Sequence, residues 1–456
     1  MSGLLGLLDL GAGAYGAFTS GAGVAGRNVA NVDTAGYSRE SVDLRALLGA
    51  PEVGGVASSG PRRAESALLG LRERAAAAGH GQADALASAL LDAEARIAPT
   101  SGGDVVDAIA SLFAGLAAAA SSPLDLAQRT QAVGAADALA VAFRRAAQAI
   151  VDGRSGADTR LRDEATRATA LAAQVAAANQ RLAVSHDPVL ADERDLAATQ
   201  LAELTGAQAR IDADGMMRVT IDGGVSVVDG IRAATFEATP DAALGGLVRL
   251  DVVDGGHRDD VTARLGGAMG GEVAFRDDAM VRAAADLDQL AYDVASEVDA
   301  VHRANAGLDG VSGRDLFVAP GAVAGAALAM AVDPTVAADP RLLAGAAVGA
   351  PAGDNRGLLA LAQLADQPLA GGGTRTFVGE GVRALAAIGA DAQRAVGLRD
   401  LEAARVDVVA GERDALSGVS LEEEMARLSE MQRAAQAATR FVSTIDDMLR
   451  DLLDKV

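Results

Sequence analysis

The chain contains no cysteine and no tryptophan, and aromatic residues make up 2% of its 456 positions. Without cysteine there are no disulfides and no thiolate metal sites, which suits a protein that meets more than one redox environment. Half of the residues are hydrophobic, and nearly half of these are alanine. Thin cores are therefore expected, with helices packed close together. Long apolar runs are also missing. Stretches such as 322–332 fall short of the roughly 20 residues a membrane helix needs, so no membrane partner is expected. Basic residues are in deficit, with 40 Lys plus Arg against 62 Asp plus Glu and a formal charge of −22. A polyanion would be repelled, so no nucleic-acid partner is expected. The basic region of a cleavable signal peptide is absent as well. The first basic residue is Arg27, and Asp9 interrupts the early apolar stretch. Any export is expected to use a route other than the general secretory one.

Catalytic patterns are equally scarce. His80, His186, His257 and His302 are isolated, with no pair at metal-ligand spacing. Gly371-Gly372-Gly373-Thr374 lacks the Gly-Lys-Ser/Thr of a phosphate loop and reads as a linker, with Thr374 capping the next helix. Asp212-Ala-Asp214-Gly215 and Asp309-Gly310 lack the remaining ligands of a calcium loop and read as turns. No cofactor, no metal and no enzymatic function are expected.

What the sequence does contain is heptad periodicity near both of its ends. In the first segment one series is Met1, Leu8, Tyr15, Ala22 and Val29, and a second is Leu4, Gly11, Phe18, Ala25 and Val32. Such a stripe makes a seam for another helix. Its many glycines each disfavour a free helix by roughly 1 kcal/mol relative to Ala, so it is expected to fold only against a partner surface. In the last segment Ser420 and Glu423 form a capping box. Behind them run Leu421, Leu428, Ala435, Val442 and Leu449, with a companion series Met431, Ala438, Ile445 and Leu452; Glu424 alone breaks the pattern. Neither stripe is buried by its own helix, and each invites pairing with the other.

Between them, residues 36–60 lack helical periodicity and read as an extended arm. Helices are expected over about 64–98, from a cap at Asp104, from Ser122-Pro123 to about 150, over 158–184, and from Asp187-Pro188 to about 206. Short β-branched runs then alternate with Asp214-Gly215, Asp222-Gly223 and Asp254-Gly255, the marks of hairpin turns. Helix resumes over about 277–305, with Asp354 capping a short helix and a long one spanning about 377–416. The predicted fold class is α+β: mainly α-helical, with coiled-coil-like paired terminal helices and a small inserted β domain. The expected units are 1–60 (assembly helix and arm), 61–206 (helical), 207–264 (inserted β domain), 265–417 (helical, irregular at 306–353) and 418–456 (assembly helix).

The stretch Asn28-Val-Ala-Asn31-Val-Asp-Thr34-Ala-Gly36-Tyr37-Ser38-Arg39 resembles the N-terminal signature of bacterial flagellar rod, hook and hook-associated proteins. Gly418-Val-Ser420-Leu-Glu-Glu-Glu424-Met resembles the opening of their C-terminal helix. Tyr37 follows the Gly where hook and rod proteins more often carry Phe, which is similar to the hook-associated branch at the hook–filament junction. The resemblance continues at Leu190-Ala-Asp192-Glu-Arg194-Asp195, from Leu265-Gly-Gly267 to Phe275-Arg276, and at Asp354-Asn355-Arg356-Gly357. The stretch after Phe317 is short where family members often carry a further outer domain.

The motif also has a reading of its own. Asn28 and Asn31 lie one turn apart, with amides placed to satisfy backbone groups at a helix end. Gly36 permits a positive φ, and Tyr37 is placed to anchor the arm. The resemblance implies a ring-forming subunit between hook and filament. It implies export through the flagellar type III apparatus without cleavage, and a cytoplasmic chaperone on the C-terminal helix. Implied partners are the hook protein, the second hook–filament junction protein and further copies of the chain. The alternatives weighed are a hook or distal rod protein, an adhesin using the β insert, and an enzyme.

Overall fold

An alanine-rich chain with polar residues on one side of each stretch forms helix at little conformational cost. The computed structural model is mostly helix, and it describes residues 2–47, 55–99 and 102–454. Met1, residues 48–54 of the expected arm and the last two positions lie outside the described residues.

The chain opens with helix α1 (Ser2–Ala30), followed by strands β1 (Glu40–Ser41), β2 (Leu44–Leu47), β3 (Gly55–Ser58) and β4 (Arg62–Arg63). Helices α2 (Ala67–Ile97), α3 (Val105–Ser121), α4 (Leu126–Leu182) and α5 (Pro188–Thr205) follow. At 57 residues, α4 is about 85 Å long. The expected break near residue 150 is absent. Gly153 and Gly156 sit inside the continuous helix, where tertiary packing on both sides overrides their low propensity. The cap of α4 is Asp125, whose carboxylate accepts from Ala127 N–H, and not Ser122.

Seven strands follow: β5 (Gln208–Ile211), β6 (Met217–Ile221), β7 (Val225–Asp229), β8 (Arg232–Ala233), β9 (Thr235–Pro240), β10 (Val248–Asp254) and β11 (His257–Asp260). They form a four-stranded sheet in the order β5-β6-β7-β8 and a three-stranded sheet in the order β11-β10-β9, antiparallel throughout. The three Asp-Gly pairs lie between paired strands, as their turn chemistry requires. The chain returns to helix in α6 (Gly267–Ala274), passes through one π-helical turn at Phe275–Ala279, and continues as α7 (Met280–Arg303).

Residues 305–347 are irregular, broken by short helices α8 (Ala326–Ala329) and α9 (Pro334–Ala338) and bracketed by the two-residue strands β12 (Asn305–Ala306) and β13 (Ala346–Ala347). Helices α10 (Arg356–Gln363), α11 (Phe377–Ser417) and α12 (Leu421–Leu453) complete the chain. Thr376, not Thr374, caps α11 through Gly379 N–H. Asp354 does not cap α10; its carboxylate accepts from Ala347 N–H and pairs with Arg356.

Two cores share α4 as a common spine. The first half of α4 (Leu139, Phe143) packs with α3 (Leu112, Phe113), α7 (Leu290, Val294), α10 and the start of α11, where Phe377 stacks on Phe113 at 5.9 Å. Its second half (Leu161, Ala168, Val175) packs with α5 and the inner faces of both sheets, at Met217, Val219, Val248 and Leu250. Asn179 ties helix to sheet by donating to the carbonyls of Met217 and Gly230 and accepting from Met217 N–H. Alanine at nearly half of the buried hydrophobic positions lets these helices approach closely, as the composition implied.

Candidate assembly interface

Helices α1 and α12 pack along each other, and three contacts fix their direction. Gly11 faces Val442 and Phe441, Gly21 faces Met431, and Asn28 bonds Glu424. One number falls as the other rises, so the pair is antiparallel. The glycines are what allow the approach. A Cβ on Gly11 would lie 2.6 Å from Val442 Cγ2, and one on Gly21 would lie 3.0 Å from Met431 Sδ.

Gly11 and Ala25 are buried on α1, with Leu4 and Phe18 half-buried beside them. On α12 Glu424, Ala435, Ala438 and Ile445 are buried, with Leu428, Met431, Val442 and Leu449 half-buried. The second of the two heptad series in α1 therefore faces the seam, together with both series of α12. The exceptions lie at the ends: Val32, Leu421 and Leu452 are exposed. The first series of α1 is off this seam. Tyr15 is 47% exposed, and Leu8 and Val29 are only half-buried. With Leu5 they form a second apolar ridge, of which Leu5 and Tyr15 are exposed and Leu8 and Val29 are partly covered. Met425, Phe441, Met448 and Leu453 are likewise exposed on α12.

The end of the seam nearest the body is polar. Asn28 is fully buried, and its amide is saturated. Nδ2 donates to Glu40 O at 2.9 Å and to Glu424 Oε2 at 3.0 Å, while Oδ1 accepts from Tyr37 Oη at 2.8 Å and Glu40 N–H at 2.9 Å. Burial, then the Glu40 carboxylate, push the Tyr37 hydroxyl well above its ordinary pKa, so it stays a donor. Glu424, the residue that broke the heptad pattern, is also fully buried, and its Oε1 accepts from Arg39 Nε at 2.8 Å. Arg27 closes the group with two bonds to Glu40 Oε2.

The loop that delivers these residues is built from the rest of the motif. Asn31 Nδ2 donates to Arg27 O at the end of α1, and Thr34 Oγ1 donates to Asn31 Oδ1. Gly36 turns the chain with φ +83°, and its α-carbon faces Leu196 of α5, where a Cβ would approach to 3.3 Å. The turn is followed by folded-back strands. The expected extended arm is a pair of short antiparallel ribbons, β1 with β4 and β2 with β3. Its segments are too short to show alternation in the sequence.

This elbow is bolted to the helical body. Ser38 N–H donates to Asp192 Oδ2 at 2.9 Å, and Arg63 joins Asp192 at 3.0 Å and Asp195 at 2.6 Å. Burial raises the pKa of Asp192, against the opposing pull of Ser38 and Arg63. Arg413 of α11 donates to Gly36 O at 2.9 Å and pairs with Glu73 of α2. Arg39 N–H bonds Ser417 O at the joint between α11 and α12. The motif residues at 28–39, 192–195 and 418–424, far apart in sequence, thus meet at one place. Glu40, Arg63 and Arg413 are the members that periodicity did not single out. The signal for Glu424 was present as a charge at an interior heptad position.

Among the described residues no helix is long and apolar enough to cross a membrane, and no group of side chains has metal-ligand geometry.

A family model described as the flagellar hook-associated protein FlgK helical domain matches residues 93–317. A second, described as the flagellar basal body rod FlgEFG protein C-terminal, matches 414–455. The flagellar hook-associated protein 1 of Escherichia coli is 24% identical over 305 residues, covering 64% of this chain and 56% of that protein. Its namesake in Salmonella typhimurium is 24% identical over 307 residues, covering 64% and 55%. The chain thus spans about half the length of the curated relatives it matches. The solved flagellar hook junction protein FlgK of Burkholderia pseudomallei superposes with a TM-score of 0.68 at 16% identity, over 77% of this chain and all of that one, a likeness of fold. With its two matched regions joined at the elbow by the motif residues, the chain is similar to the flagellar rod, hook and hook-associated proteins in both its helical domain and its C-terminal segment.

Proposed function

We propose that this chain is a structural subunit of the bacterial flagellum, placed at the junction between hook and filament, and that it works by assembly and not by catalysis. The observation that carries this reading is the division of labour on the terminal helices. One apolar ridge of α1 is covered by α12. A second leaves Leu5 and Tyr15 exposed, and α12 exposes Phe441 and Met448. Removing a large apolar side chain from water contributes about 1.5–3 kcal/mol, so such ridges drive association once neighbouring copies supply a surface.

In this reading the paired helices line a tube formed by further copies. The hook protein lies on one side and the second hook–filament junction protein on the other. The helical body and the β insert project outward. The subunit reaches its place through the flagellar type III apparatus, and a cytoplasmic chaperone covers α12 beforehand. Absence of cysteine and the exposed apolar side chains of α12 support that route.

Labelling the protein with antibody-coupled gold on intact flagella tests the placement. Gold confined to the hook–filament boundary is the expected result. Labelling along the hook would favour a hook or rod subunit, and absence from the flagellum would end the proposal.

A further inference from the structure

Among the described residues, the one charged side chain buried in the α1–α12 seam is neutralised by a residue that belongs to neither helix. Glu424 is fully buried at an interior position of α12. Asn28, opposite, gives it one neutral hydrogen bond, and among the described residues Arg39 is the cation that reaches it, at 2.8 Å. Arg39 arrives there only because the loop has folded back. Tyr37 is held by Asn28, Ser38 by Asp192, and the Arg39 backbone by Ser417 O and Ala64 N–H.

We propose that Glu424 is a positioning residue that makes pairing of α1 with α12 conditional on docking of segment 37–40, and so ties the terminal helices to the body in one register. The physical reason is the cost of burying an ionised carboxylate. With 37–40 docked, Glu424 has a guanidinium and an amide. With it undocked, closing the seam would strand the carboxylate in an apolar contact, which costs more than the two helices gain there. The same group sets register. Sliding one helix by a heptad would place Glu424 against Gly21 in one direction, or Asn28 against Met431 in the other, and in either case the Asn28–Glu424 bond would be lost. A buried polar position in a coiled coil enforces register in this way. This device concerns a single chain and stands apart from the placement of the subunit in a flagellum.

Amide hydrogen exchange on the full chain tests the coupling through four proteins: the wild type, Arg39→Gln, Glu424→Gln and the double variant. Exchange in 2–30 is read against α3 as an internal control. Arg39→Gln alone is expected to accelerate exchange in α1 at least tenfold. Glu424→Gln keeps the shape and a bond to Asn28 and is expected to change it less than threefold. In the Glu424→Gln background, Arg39→Gln is then expected to add less than threefold. Arg39→Lys, which retains the charge, is expected to restore most of the protection. Equal acceleration by Arg39→Gln in both backgrounds would overturn the proposal. So would opening of the seam by Glu424→Gln alone as far as Arg39→Gln opens it, or no response in any variant.

Discussion

Gly11 and Gly21 look like weaknesses when α1 is read by helix propensity, each disfavouring helix by roughly 1 kcal/mol relative to alanine. In the fold they are the points where α12 comes nearest, and any side chain there meets Val442, Phe441 or Met431. Gly11→Val is therefore expected to destabilise the terminal pair by about 1–3 kcal/mol, as overpacking does. Limited proteolysis should show faster cleavage within 2–30, with the helical body unchanged.

A second residue-scale expectation concerns α7. Asp299 is buried and accepts from Leu316 and Phe317 N–H through Oδ1, while Oδ2 has no protein partner. Burial pushes its pKa up to about 6. The folded state therefore holds this proton more tightly than the unfolded chain does. The stability it contributes is present below the ordinary carboxylate pKa and is lost as pH rises through about 6. One turn away, His302 donates from Nδ1 to Arg314 O and accepts Ala344 N–H at Nε2, so it is neutral, and burial lowers its pKa. Its contribution is present above the ordinary imidazole pKa and fades as pH falls below it. The two slopes oppose each other in the wild type. Asp299→Asn should remove the first, raising stability at pH 7.5 by about 1–3 kcal/mol with a smaller effect at pH 4.5. Urea unfolding at the two pH values measures it.

At the scale of elements, what could be read in advance follows the strength of each local signal. The seam of α12 was legible because its heptads are long and apolar, and the β insert because three Asp-Gly turns punctuate it. Strand β9 (Thr235–Pro240) escaped notice although polar and apolar residues alternate along it, because no Asp-Gly turn separates it from β8. Two heptad ridges on one helix cannot be ranked without knowing which partner arrives first. That is why the Tyr15 series was assigned to the same seam as Phe18. Glu424 was legible as an irregularity, but its meaning needed Asn28 and Arg39, which are 396 and 385 positions away.

The two ridges separate experimentally. Leu449→Asp places a carboxylate in the closed seam and is expected to loosen α12 in the isolated chain, with loss of filament attachment. Tyr15→Asp changes only the open ridge. It is expected to leave the chain's unfolding curve unchanged while still abolishing attachment. Circular dichroism melts paired with a motility complementation assay distinguish the two outcomes.

On the scale of the whole molecule, the 57 residues of α4 run through both cores, and the elbow joins α2, α5 and α11 to the terminal pair through Arg63, Arg413 and Arg39. Both terminal helices leave apolar side chains bare, where copies would meet if these helices line a tube. The central claim is that α1 presents one ridge to its own chain and another to its neighbours. Because the chain has no cysteine, a single Tyr15→Cys substitution provides the sole thiol for a maleimide label or a bifunctional cross-linker. Labelling is expected to be fast in the purified chain. In intact flagella the thiol is expected to be protected from label and to yield cross-links between subunits. A thiol that reacts as readily in flagella as in solution, and never joins two copies, would contradict the account.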